Sequence, residues 1–114
     1  IHPNAIGAAV AAHCANQQNS FWEYHDLIFG DSLGFSDDAY MQYAIDINLD
    51  VNQFALCLTS DSAVSLVQNN YELGESLGVA STPSFFINGT ALIGAQPFEV
   101  FSQVIEAELA KVNN

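Results

Sequence analysis

Residues Gly78 to Gly94, GVASTPSFFINGTALIG, set two short apolar runs on either side of Asn88-Gly89. Asn-Gly between β-like runs is a strong short-range hairpin signal, because both residues accept the positive φ of a type I′ turn. The pattern predicts strands over 84–87 and 90–94. Thr82-Pro83 stands at the entrance. Proline supplies no ladder donor, so it belongs at the first residue of a strand, at an edge or at a bulge. The apolar runs impose the harder constraint. Phe85, Phe86, Ile87, Leu92 and Ile93 are apolar in neighbouring pairs, as in a strand covered on both faces. An isolated two-stranded hairpin is marginal in water. No other segment reads clearly as a strand, so the missing strands are expected from upstream residues or from another chain.

The residues before this stretch read as helices. Pro3-Asn4 opens the first, with Asn4 as N-cap, and Ile6, Val10 and Cys14 share one face. In FWEYHDLIFG, Phe21, Tyr24 and Ile28 form one stripe and Trp22, His25 and Phe29 another, with Gly30 as a stop. Trp22, Tyr24 and Phe29 are expected in the core rather than in a ligand cage. Ser36-Asp37-Asp38 starts a third helix whose apolar set is Tyr40, Met41, Ala44, Ile45 and Ile47. Asp50-x-x-Gln53 has the form of a capping box for a short helix, Val51 to Leu58. Ser60 or Asp61 caps a longer helix that Gly78 ends. After the hairpin, Pro97 precedes a last helix with Phe98, Phe101, Ile105 and Leu109 as its buried stripe. The chain is thus mostly α, a helical part (1–77) followed by β-β-α (78–114).

Half of the residues are hydrophobic, so disorder is not expected. One basic residue, Lys111, stands against 13 acidic ones, for a net charge of −12. That balance argues against nucleic acid and anionic membrane surfaces as partners. No apolar run approaches the length of a membrane span, and no signal peptide is recognisable. The first residue is Ile1 rather than Met, as expected of a processed product or an excerpt.

These features together resemble a DsbA-like protein of the thioredoxin superfamily. The resemblance is carried by HPNAIGAAVAAHCANQQNSFWEYHDLIF, by FALCL and, most specifically, by LGVASTPSFFINGTALIGAQPFEVFSQVIEAEL. It implies a partial thioredoxin-like α/β fold: a helical insertion followed by the returning β-β-α unit. It also implies a cis-proline at Pro83 and a Thr82 main chain that pairs with an extended substrate, a form of β-augmentation. Ser84 and Phe85 would flank that site. The partners implied are extended polypeptides bearing cysteines and a redox-recycling protein, in an exported setting (periplasm, cell envelope or outside the cell).

The catalytic Cys-x-x-Cys of such enzymes does not occur in these residues. In the family that motif opens the first helix of an initial β-α-β unit, which would lie before Ile1. The reading is therefore of a piece that is redox-incompetent alone. Two other readings stand beside it: a peptide-binding or holdase module without redox activity, and a thioredoxin-like isomerase of the glutathione type. No cofactor and no metal enters any of them.

Cys14 and Cys57 are too far apart in sequence for a Cys-x-x-Cys pair. A structural disulfide between the first and fourth helices is the leading reading, beside two buried thiols or a metal site with His2, His13 or His25. Asn88-Gly89-Thr90 is formally a glycosylation sequon, but a hairpin turn is the backbone reason for it. The unpaired edges, 85–87 or 90–93, are expected to associate with a second copy.

Overall fold

The computed structural model describes residues 2–30 and 33–113. Among them are six helices and one two-stranded sheet: α1 (Ala5–Asn16), α2 (Phe21–Gly30), α3 (Asp37–Asp46), α4 (Val51–Leu58), α5 (Asp61–Ser76), β1 (Ser84–Ile87), β2 (Thr90–Ile93) and α6 (Phe98–Val112). The chain divides into two compact units, Ile1–Glu72 and Leu73–Asn114. The division falls inside α5, whereas the sequence reading divides after that helix.

Local chemistry places most helix ends. Ser36 caps α3 by accepting from Ala39 N–H, and Ser60 Oγ accepts from Ala63 N–H at the start of α5. Asp50 caps α4 by accepting from Gln53 N–H at 3.0 Å. The reciprocal half of the box comes from elsewhere. Gln18 Oε1 accepts from Asp50 N–H at 2.8 Å, and Gln18 Nε2 donates to Asp50 O at 3.1 Å. An amide after α1 thus completes the cap of α4. Asn4 lies at the α1 N-cap without a side-chain bond. Helices α1, α3 and α5 close alike: Ser20 N–H reaches Ala15 O, Leu49 N–H reaches Ala44 O, and Val79 N–H reaches Gly74 O. The residue before each donor, Asn19, Asn48 and Gly78, has positive φ, as such terminations require.

The first unit has a true core. Val10, Ala11, Cys14 and Ala15 of α1 meet Tyr24 and Ile28 of α2, Tyr40, Tyr43 and Ala44 of α3, and Phe54 and Cys57 of α4. Tyr24, Tyr43 and Phe54 are fully buried, with the Tyr24 ring edge-on to Tyr43 at 6.0 Å. Their polar tips have partners. Tyr24 Oη donates to Tyr40 O at 2.9 Å, and Tyr43 Oη donates to Gly34 O and accepts from Leu33 N–H.

Cys14 and Cys57 form a disulfide with Cα atoms 5.7 Å apart, tying α1 to α4. Both residues are buried. Of the readings left open by the sequence, two thiols and a metal site are therefore excluded.

The apolar expectations for α2 and α3 are corrected here. Trp22 and Phe29 are 68% and 77% exposed, and Ile45 is half exposed. The core has room for one stripe of α2, and Tyr24 with Ile28 occupies it. Tyr43, absent from the expected set of α3, takes the central place that Ile45 does not.

The second unit is thinly covered. β1 and β2 pair antiparallel, Ser84 with Ile93 through Ile87 with Thr90. Asn88 (φ 49°) and Gly89 (φ 83°) make the turn. Phe85 lies edge-on to Phe101 of α6 at 4.9 Å. The stripe expected to be buried on α6 is not: Phe98 is 80% exposed, and Ile105 and Leu109 are nearly half exposed. Within this unit one hairpin can cover only part of one helix.

Its one buried charged group among the described residues is Glu108. The carboxylate accepts from Thr90 Oγ1 at 2.6 Å and from Lys111 Nζ at 3.0 Å. The Thr90 bond first, then Lys111, holds its pKa below the ordinary value.

Two predictions follow from the helical unit. The disulfide closes a sequence separation of 43 residues. Removing that constraint from the unfolded chain costs about 4 kcal/mol by the loop-entropy relation. Cys14→Ala/Cys57→Ala should lose stability of that order in urea unfolding, and a loss below about 1 kcal/mol would contradict a structural role. Burial, with Tyr40 and Tyr43 adding to it, pushes the Tyr24 phenol well above its ordinary value. The folded state then holds this proton more tightly than the unfolded chain does. The resulting stability is complete below about pH 10 and is lost as pH rises through the folded value. Urea midpoints should fall above about pH 10, and Tyr24→Phe should flatten that fall.

Candidate functional site

The second unit presents one loop where the backbone is unlike its surroundings. Gly78 ends α5 at φ 86°, and the chain reaches β1 through Val79–Pro83. The Thr82–Pro83 peptide bond is cis. Two hydrogen bonds hold this entrance. Ser84 Oγ donates to Ser81 O at 2.6 Å, closing the loop on itself. Gly94 N–H donates to Pro83 O at 2.8 Å, so Pro83 extends the β1–β2 ladder by one step on its carbonyl side. Gly94 has φ 87°, a conformation that favours glycine. Gln96 Nε2 donates to Ile93 O at 2.8 Å and steadies the following bend.

Thr82 is different. Its N–H and C=O take no hydrogen-bond partner among the described residues, and Thr82 and Pro83 are both exposed. An exposed peptide group just before a strand can be satisfied by water or by an incoming chain. β1 pairs only with β2 among the described residues, leaving its other edge open.

The four residues singled out by sequence thus fall into two kinds. Thr82 and Pro83 face solvent with the Thr82 main chain free. Ser84 spends its hydroxyl on Ser81, and Phe85 turns its ring onto Phe101. Ser81, Gly94 and Gln96, which hold the loop, are not among the site residues read from sequence, although Gly94 and Gln96 lie in the Gly-Ala-Gln-Pro-Phe stretch that carries the resemblance. No cysteine is free among the described residues, so this site as described carries no thiol nucleophile.

The sequence profile of the DSBA-like thioredoxin domain matches residues 2–106. The chain belongs to that family. Its mostly helical architecture with a two-stranded sheet is a partial thioredoxin-like α/β fold.

Among curated proteins the DsbA-like chain is 29% identical over 110 residues to "Na(+)/H(+) antiporter NhaA 3" of Salinispora tropica, covering 96% of this chain and 17% of that protein. It is 29% identical over 106 residues to "Na(+)/H(+) antiporter NhaA" of Herminiimonas arsenicoxydans, covering 93% and 17%. A third similar protein, "Na(+)/H(+) antiporter NhaA 1" of Mycolicibacterium vanbaalenii, is 33% identical over 92 residues, covering 77% and 15%. The chain spans about a sixth of the length of these relatives. No solved structure matches it. Among the described residues no helix is long and apolar enough to cross a membrane.

Amide exchange reads this site directly. In the folded protein the Gly94 amide, bonded to Pro83 O, should exchange at least tenfold more slowly than the Thr82 amide, which has no acceptor among the described residues. Equal protection of the two would mean that Thr82 is already paired.

Proposed function

We propose that this chain is the helical insertion and β-β-α portion of a DsbA-like thiol:disulfide oxidoreductase that forms or exchanges disulfides in exported proteins. The domain limits in this reading are 1–77 and 78–114. The observation that carries it is the exposed Thr82–Pro83 loop with its unpartnered Thr82 main chain. An extended polypeptide pairs with the main chain of this loop, ahead of β1, with Thr82 N–H donating to a guest carbonyl and Thr82 C=O accepting a guest N–H. The guest's side chains then alternate across the strand, which presents a cysteine sulfur at one register. Ser84 and Phe85 flank the guest while remaining tied to Ser81 and Phe101.

The nucleophile in this reading is a low-pKa thiolate from a Cys-x-x-Cys segment outside these 114 residues. It attacks one sulfur of a substrate disulfide and expels the other as thiolate. Cys14 and Cys57 do not serve, since they are buried and bonded to each other. The chain by itself is then redox-incompetent. The open edges of β1 and β2 are completed by a strand from such a segment or, in its absence, by a second copy. Transport is named for relatives of which this chain matches about a sixth, and we do not assign it here.

The lack of a free thiol among the described residues also favours a second reading, a peptide-binding module or holdase without redox activity. Both readings require the same guest strand.

A cysteine-containing extended peptide should therefore slow amide exchange at Thr82 and leave Gly94 as it was. The isolated chain should catalyse no thiol–disulfide exchange above the uncatalysed background. Turnover by a chain whose own disulfide stays intact by mass would overturn the placement of the nucleophile. Unchanged exchange at Thr82 at saturating peptide would overturn the loop as the binding site.

A further inference from the structure

Helix α2 buries one stripe and offers another. Tyr24 and Ile28 are 0% and 9% exposed and face the core. Trp22, His25 and Phe29, at i, i+3 and i+7, form a second stripe away from it. Trp22 and Phe29 are among the most exposed large hydrophobic residues of the protein. The stripe is ordered by its own contacts. Trp22 lies edge-on to His25 with ring centroids 5.1 Å apart, and His25 lies 4.5 Å from Phe29. Asp26 Oδ1, 3.1 Å from His25 Nδ1, fixes the imidazole from the side.

A preformed aromatic row on a helix anchored from below is a surface of low ordering cost, with the residue types that dominate binding energy at interfaces. Its electrostatic setting is one-sided. Glu23 and Asp26 are the charged residues of α2, and the chain as a whole carries −12. Lys111, its only basic side chain among lysine and arginine, is held by Glu108. A second copy, an anionic bilayer and a nucleic acid all bring negative charge to this face and are repelled. A cationic chain is attracted, and its Lys or Arg can also lie over the Trp22 face.

We infer that the Trp22–His25–Phe29 face of α2 is a docking surface for a cationic amphipathic segment of another protein, whose apolar side covers the aromatic row and whose Lys or Arg side chains meet Glu23 and Asp26. This surface is independent of the Thr82–Pro83 loop and of either reading given to that loop.

Trp22 is the single tryptophan of the chain, so its fluorescence reports on this face alone. The probe is a 14-residue synthetic helix of Leu and Lys in amphipathic order, with Glu in place of Lys as its control. The Leu/Lys peptide should move Trp22 emission to the blue in a saturable titration that weakens with added salt. Phe29→Ala, at a residue outside the core, should keep the far-ultraviolet spectrum and weaken the affinity by about tenfold. Four results would overturn the inference. One is an absence of response to the Leu/Lys peptide. Another is an equal response to the Leu/Glu peptide. A third is unchanged affinity in Phe29→Ala. The last is a blue shift with protein concentration alone, which would assign the face to a second copy.

Discussion

The hairpin from Ser84 to Ile93 has one helix of its own unit to pack on, and that shortage of cover governs the second unit. Apolar side chains on both faces of a strand require a layer on each side. Here Phe85 finds Phe101, while Phe86 and Ile93 remain about half exposed. The exposure of Phe98, Ile105 and Leu109 follows from the same lack. Just ahead of this sheet, the Thr82 main chain is exposed and has no partner among the described residues, and the proposed guest strand would pair there.

The first unit is complete in the sense that the second is not. Its apolar groups are closed by tyrosines whose hydroxyls reach main-chain carbonyls, so large rings enter the core without stranding a polar atom. The disulfide and the Gln18–Asp50 pair both bind the α1 region to α4. One is covalent and buried and the other is hydrogen-bonded and exposed, and together they set where the short helix α4 sits. A helix of eight residues has little stability of its own, so this anchoring supplies what its length does not.

The proposed division of thiol:disulfide chemistry between this chain and a separate nucleophile has a physical logic. A part that recognises an extended peptide, as proposed for the Thr82–Pro83 loop, needs backbone groups in a fixed geometry; Ser81, Ser84, Pro83 and Gly94 hold that loop through two hydrogen bonds. The part that reacts needs a stabilised thiolate. The cysteines present here are committed to holding helices together. On α2, the exposed aromatic row is the proposed docking face for a cationic segment, separate from that loop.

Features set by residues a few positions apart were legible from sequence. The Asn88-Gly89 turn dictates the pairing of Ser84 with Ile93, because a two-residue loop fixes register. Ser36, Asp50 and Ser60 start helices where their side chains reach a backbone N–H three residues on. The Thr82-Pro83 entrance was found by the same local logic, joined to a family resemblance. Tertiary structure alone decided which stripe of α2 goes inward, since Tyr24 with Ile28 and Trp22 with Phe29 are similarly apolar. Tyr24 is chosen because Tyr40 O lies within reach of its hydroxyl, a neighbour 16 residues away. The same holds for the Gln18 half of the α4 cap and the exposure of the α6 stripe, while the Cys14–Cys57 bond was the leading sequence reading and only the fold removed its alternatives. Burial and long-range pairing depend on what the fold brings alongside, and no local pattern encodes that.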